Sequence, residues 1–164
     1  NWDLGNNIQS TNPNPSLLYT TPGNYTVRLV VTTDEGCRDT VSQPVSIYAE
    51  PVANFISIDV CDGEPVQFTD ASSISDATPL SYSWSLGDNT SASTQSFSHT
   101  YSTWGAYPVN LIVSSNRNCR DTISHMANVF ALPDAAFTHE YACTEDPAVF
   151  ADASTIPDGA ISSW

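Results

Sequence analysis

Lysine is absent from this chain, and its only cations, Arg28, Arg38, Arg117 and Arg120, stand against 18 acidic side chains for a formal charge of -14. A polyanion would be repelled by that balance, so nucleic acid is excluded as a partner. Charge of either sign is scarce, at 13% of residues. Ser, Thr, Asn, Pro and Asp fill the spaces between apolar positions instead, a composition suited to strands and turns. No stretch has helical periodicity, and no apolar run is long enough to insert in a membrane. No signal peptide is visible, because the chain opens in the middle of a repeat. The four cysteines form no Cys-x-x-Cys pair and have no histidine at ligand spacing. They point to disulfides in an oxidising place, and an exported protein, rather than to zinc.

Signs of catalysis are missing as well. His99, His125 and His139 fall at non-equivalent places, no Gly-x-Ser-x-Gly elbow occurs, and the carboxylates are scattered, with Asp70 and Asp152, which recur in register, reading as turn caps. The expectation is a chain that is not an enzyme and binds no cofactor.

What the chain does have is an echo. Gly23-Asn24-Tyr25-Thr26-Val27-Arg28-Leu29 through Cys37-Arg38-Asp39-Thr40 returns 82 residues later as Gly105-Ala106-Tyr107-Pro108-Val109-Asn110-Leu111 through Cys119-Arg120-Asp121-Thr122. The same step relates Phe55 to Phe137, Cys61 to Cys143, and Gln67-Phe68-Thr69-Asp70 to Val149-Phe150-Ala151-Asp152. Trp2, Trp84 and Trp164 also align, the last after a two-residue deletion. The expected organisation is one complete repeat at 51–132, the C-terminal part of another at 1–50, and the N-terminal part of a third at 133–164.

Within the complete repeat, short runs of period-two alternation separated by turn residues predict an all-β sandwich of about seven strands. They fall near 52–59, 65–70, 80–86, 90–93, 94–101, 106–115 and 119–131. In the sixth, Tyr107, Val109, Leu111 and Val113 should face the core, as should Tyr25, Val27, Leu29 and Val31 one repeat earlier. Trp84, with Tyr82 and Leu86 on its face, is expected to pack across the two sheets against that sixth strand.

Tyr82-Ser83-Trp84-Ser85-Leu86-Gly87-Asp88-Asn89, then His99-Thr100-Tyr101, then Gly105 through Leu111, resembles the polycystic kidney disease (PKD) domain signature Y-x-W-x-F-G-D-G, H-x-Y and G-x-Y-x-V-x-L. The resemblance implies tandem immunoglobulin-like sandwiches whose signature core residues are Trp2, Trp84, Trp164, Tyr25, Tyr107 and Tyr101. The first repeat departs from the signature with Asn6 in place of the Asp and Leu17 in place of the His. The Gly-Asp turn therefore reads as a tight strand connection, with calcium binding (Ca2+) there the minor alternative.

Cys61 and Cys119 are the complete repeat's own two cysteines, yet one precedes the second strand and the other follows the sixth. Those strands run in the same direction, which puts the cysteines at opposite poles roughly 25 Å apart, whereas a disulfide needs Cα atoms within about 7 Å. In a head-to-tail array an acidic turn bearing Cys61, Asp62 and Glu64, or Cys143, Glu145 and Asp146, would meet a basic turn bearing Cys37 and Arg38, or Arg117, Cys119 and Arg120. Inter-domain bonds, an intra-domain bond and free thiols all stay open, with the first favoured.

Thr40 and Thr122, each in an Asp-Thr-aliphatic triplet, look like O-glycosylation sites of exported Bacteroidetes proteins, beside the plainer reading of a strand-opening threonine. The repeats also resemble those of giant Bacteroidetes surface proteins, including the SprB-like gliding adhesins exported by type IX secretion. That resemblance implies an extracellular, cell-surface stalk and adhesion array, or filament, whose partners are neighbouring repeats head to tail and surface polysaccharide or other surface proteins. Two alternatives are kept. One is a spacer or carbohydrate-binding region of a secreted polysaccharidase or protease, with Trp104 the single suspect aromatic. The other is a polymer subunit in which 133–164 of one chain completes 1–50 of the next, against the simpler expectation that the segment is an excerpt of a longer chain.

Overall fold

In a computed structural model of the chain, which describes residues 1–76 and 80–163, every regular element is a β-strand. β1 (Trp2–Asp3), β2 (Gln9–Ser10), β3 (Gly23–Thr32) and β4 (Arg38–Ile47) form one antiparallel sheet in the order β2-β1-β3-β4. The central part contributes β5 (Phe55–Ser57), β6 (Val60–Cys61), β7 (Val66–Asp70), β8 (Leu80–Ser85), β9 (Ser91–Ala92), β10 (Phe97–His99), β11 (Gly105–Ser115) and β12 (Arg120–Phe130). These make two sheets, β10-β7-β5 and β6-β12-β11-β8-β9, packed face to face. A last antiparallel pair joins β13 (Phe137–His139) to β14 (Phe150–Asp152).

Alternation along β11 shows why the sandwich closes. Val109, Leu111 and Val113 are fully buried, while Pro108 and Ile112, one step out of phase, are exposed. A period of two sends every other side chain to one face, and burying that apolar face stabilises the pairing of the two sheets. The resulting core also takes in Phe55, Val66, Phe68, Trp84, Leu86, Tyr101, Ala127 and Val129. Each buried aromatic or large aliphatic side chain contributes about 1.5–3 kcal/mol relative to exposure.

The 82-residue echo is structural down to register. Trp84 pairs with Leu111 as Trp2 pairs with Leu29, Gly105 with Val129 as Gly23 with Ile47, and Phe55 with Asp70 as Phe137 with Asp152.

Three details differ from the sequence expectations. Trp84 does not pack across onto the sixth strand: β8 and β11 are neighbours in one sheet, and the indole reaches over to Phe55, Phe97 and Phe68 of the opposite sheet, with ring centroids 5.1, 5.3 and 6.0 Å away. The first strand, expected near 52–59, is the short β5, which pairs with β7 in one sheet, and just beyond that range an unexpected β6 crosses over to pair in parallel with β12 in the other. Val31, expected to face inward, is 53% exposed, because among the described residues no second sheet covers the inner face of β3 and β4.

Candidate functional site

The turn after β8 is the most tightly built polar feature of the central sandwich. Gly87 adopts φ +84°, and a Cβ there would lie 2.9 Å from Cδ and O of Pro108, so the turn requires both the positive φ and the missing side chain. Asp88 follows and accepts a hydrogen bond from the backbone N of Thr90 at 3.0 Å, closing the turn as expected for an Asx residue. Its other oxygen lies 2.7 Å from Nε2 of His99. The His99 ring meets Tyr101 edge-on at 4.6 Å, and the Tyr101 hydroxyl donates to the Leu86 carbonyl at 2.9 Å. Burial acts against ionisation of Asp88, but the hydrogen bonds from Thr90 and His99 outweigh it and hold the carboxyl below its ordinary range. Burial, reinforced by the nearby Asp88 carboxylate and Tyr107, pushes the Tyr101 phenol up to about 12.

This constellation is a brace. In the first repeat Tyr19 still donates to Leu4 O at 2.6 Å and Gly5 keeps φ +79°, while Asn6 and Leu17 replace the Asp88 and His99 pair together. The tyrosine corner is common to both copies and the Asp–His contact belongs to one. Asp88 and His99 make a carboxylate–imidazole contact, and among the described residues no group of three or more His, Cys, Asp or Glu side chains is placed to hold a metal ion.

Asp70 and Asp152 sit at the ends of β7 and β14, and each accepts the backbone N–H two residues on, from Ser72 at 2.9 Å and Ser154 at 3.1 Å. Burial raises the Asp70 pKa, but hydrogen bonds from Ser72, Gln95 and Tyr82 bring it below the ordinary value on balance. Asp121, in the recurring Cys-Arg-Asp-Thr motif, reaches 68 residues back to accept the Ala53 N–H at 2.8 Å. That bond and the N–H of Thr122 lower its pKa. Thr40 and Thr122 are exposed, next to Asp39 and Asp121.

Of the other signature residues, Trp84 and Tyr101 are buried, and Trp2, Tyr25 and Tyr107 are half-buried. Trp164 lies outside the described residues. Trp84 donates from Nε1 to Thr94 O at 2.9 Å, so its polar edge is satisfied within the fold. Tyr107 stacks on Tyr101 at 3.8 Å, as Tyr25 lies against Tyr19 at 4.3 Å. Trp104 is 43% exposed.

The two poles of the sandwich differ in kind. At one, β11 and β12 are joined by a turn in which Ser115 N donates to Cys119 O at 2.9 Å, matched by Thr33 N to Cys37 O at 2.9 Å. At the other, Glu64 N donates to Cys61 O at 3.1 Å, matched by Asp146 N to Cys143 O at 3.1 Å. All four cysteines are thus held in backbone turns, and Cys37, Cys61 and Cys143 are exposed. Cys61 lies beside Phe130, the last residue of β12, while Cys119 immediately precedes its first, Arg120. Ten residue steps separate those ends, or about 33 Å. Cys61 and Cys119 are therefore far beyond disulfide reach of each other.

Between the first and central parts, the Arg117 guanidinium sits over the Tyr48 ring, 4.8 Å from its centroid. A groove beside this contact is lined by Leu18, Tyr19, Pro22, Ile47, Tyr48 and Ser75, among others. Neither Tyr48 nor the groove carried any signal in the sequence beyond Tyr48 aligning with Phe130.

The family model for the PKD domain matches residues 1–47 and 48–130. The pre-pro-metalloprotease PrtV from two strains of Vibrio cholerae serotype O1 is 30% identical over 128 residues, which is 75% of this chain and 14% of that protein. The segment thus spans about a seventh of these curated relatives. Among solved structures, the PKD1 domain of Vibrio anguillarum Epp aligns with 30% identity and a TM-score of 0.44, covering 49% of this chain and 93% of that one. The PKD1 domain of Vibrio cholerae PrtV aligns with 28% identity and a TM-score of 0.44, covering 49% and 96%.

Proposed function

The chain belongs to the PKD-domain family, and from that premise we propose that it is a non-catalytic, extracellular spacer, an array that holds a functional domain of a secreted protein away from its anchor or partner. One observation carries the reading. The chain enters the central sandwich at Ala53, tied to Asp121 at the basic pole, and leaves it after Phe130, beside Cys61 at the acidic pole. Entry and exit lie at opposite ends of a β12 that is 11 residues long, so each repeat advances the chain by roughly 35 Å. A fold that returned its chain to the starting pole would cluster its neighbours instead of stringing them out.

The metalloprotease relatives support the accessory-region alternative over the gliding-adhesin form of the stalk, since a stretch 30% identical to this one occurs in PrtV. The same pre-pro-metalloprotease relatives support export. Small-angle scattering tests the spacer directly. Comparing polypeptides that differ by one 82-residue repeat should show the maximum dimension growing by about 35–40 Å per repeat. Growth of less than about 15 Å would mean a folded-back array and would end the proposal. Trp104 bears on the polysaccharide partner: a glycan array probed with the intact chain should give the same pattern for Trp104→Ala, and glycan binding lost with that substitution would favour a carbohydrate-binding role.

A further inference from the structure

We propose that consecutive repeats are joined by a disulfide between the cysteine of one repeat's acidic turn, the Cys61 position, and the cysteine of the next repeat's basic turn, the Cys119 position. The bond forms at the junction where Arg117 meets Tyr48.

Three independent observations converge there. First, Cys61 is the parallel register partner of Phe130, and Asp62 N donates to Phe130 O at 2.8 Å, so the acidic-turn cysteine always flanks the last residue of its own repeat's final strand. One repeat earlier the aligned position is Tyr48 (130 − 82 = 48), which directly follows Ile47, the last residue of β4. An acidic-turn cysteine at the same place in Tyr48's repeat would stand one strand spacing, about 4.8 Å, from the Tyr48 backbone. Second, the ring of Tyr48 is where Arg117 lands, two residues before Cys119 in the same turn. The contact delivers a basic-turn cysteine to the flank where the acidic-turn cysteine sits. Third, the two turns of the central repeat are opposite in charge, with Asp62 and Glu64 beside Cys61 and Arg117 and Arg120 beside Cys119, whereas the Cys37 turn carries Asp34 and Glu35 as well as Arg38. Attraction between them favours this docking over a docking of like poles.

By the same geometry no two of Cys37, Cys61, Cys119 and Cys143 are partners. Cys119 would bond a cysteine 82 residues before Cys61, and Cys61 one 82 residues after Cys119, both outside this segment. Formation is an ordinary exchange. A thiolate of one cysteine attacks the disulfide of an oxidised thiol–disulfide oxidoreductase, and the second cysteine's thiolate then displaces that catalyst from the mixed disulfide. The two cysteines lose two protons and two electrons, and the oxidoreductase leaves as a dithiol. The bond would lock each junction and convert a string of hinged spacers into a stiff rod. The inference rests on the extracellular spacer reading, because the cytosol would keep the thiols reduced.

The test is disulfide mapping of the full polypeptide purified from the cells that make it, alkylated without reduction and digested. Each acidic-turn cysteine should appear linked to the basic-turn cysteine of the following repeat. A Cys61 to Cys119 peptide, or alkylated thiols at these positions, would overturn the staple. A second arm uses the 164-residue chain with a copy of residues 51–82 fused before Asn1, so that the first repeat reads as complete. In a glutathione redox buffer, with oxidised glutathione as the oxidant, the copied cysteine should crosslink to Cys119, while Cys37, Cys61 and Cys143 stay alkylatable and Cys119→Ser abolishes the crosslink. Free thiols throughout in a native polypeptide that still lengthens by about 35 Å per repeat would sink the staple and leave the spacer standing.

Discussion

Glycine at position 87 and glycine at position 63 have nearly the same backbone, φ +84° and +85°, yet different surroundings. Nothing lies within 4 Å of a Cβ built on Gly63, whereas one on Gly87 meets Pro108 at 2.9 Å. Gly63→Ala should therefore cost only the left-handed strain of about 1 kcal/mol, and Gly87→Ala about 3 kcal/mol as the β8 turn is forced off β11. Urea titrations of the two variants check this, and equal losses would mean that the close approach to Pro108 is not what holds the turn. The ionisable groups around that turn set a pH range. Tyr101 is neutral in the fold up to about 12 against an ordinary 10.0, so its contribution is complete below pH 10 and is lost as pH rises through 12. Asp70, Asp88 and Asp121 are lowered from 3.8, so theirs is complete above that value and is lost as pH falls below it. The melting temperature should be flat between about pH 5 and 9 and fall on both sides. Tyr101→Phe, at a uniform cost of about 1 kcal/mol for the bond to Leu86, should flatten the alkaline limb. An alkaline limb unchanged in Tyr101→Phe would assign it to another group.

Strands were the most legible level of this protein, and the reason is physical. A period of two is written in side chains, and the repetition of Tyr25, Val27 and Leu29 as Tyr107, Val109 and Leu111 doubles the signal, so β3 and β11 follow directly from the residues. The switch of the first strand from one sheet to the other left no such trace. β6 is two residues long, and its parallel pairing with β12 is made by backbone groups that every residue carries. The role of Asp121 was equally hidden, because Ala53 is a neighbour only after folding. The departures at Asn6 and Leu17 were visible, but that they delete both halves of one contact required the 2.7 Å between Asp88 and His99. Asp121 now makes a prediction for the element it anchors. Removing its acceptor in Asp121→Ala should raise the exchange rate of the Ala53 amide about tenfold while leaving the β11 and β12 amides protected, as read by hydrogen exchange. Protection of Ala53 unchanged would show that β5 is held by its pairing with β7 alone.

Across the whole molecule, the buried cluster lies entirely between Ala53 and Val129, so the central sandwich does not depend on its neighbours for a core. The contact to the first part is of another kind. Tyr48 is 42% exposed, and a guanidinium over an exposed ring is worth about 0.5–1 kcal/mol. That is enough to bias an orientation two- to fivefold and too little to fix it, which is why a covalent bond at this place would change the mechanics of an array. Arg117→Ala should leave the melting temperature of the central sandwich within about 1 °C, since the guanidinium touches none of the core. It should nevertheless shorten the rotational correlation time measured by NMR relaxation, as the two parts begin to tumble separately. A lowered melting temperature would place Arg117 in the sandwich's own stability, and an unchanged correlation time would mean that the junction is held by the groove around Leu18, Ile47 and Ser75 instead of by the cation.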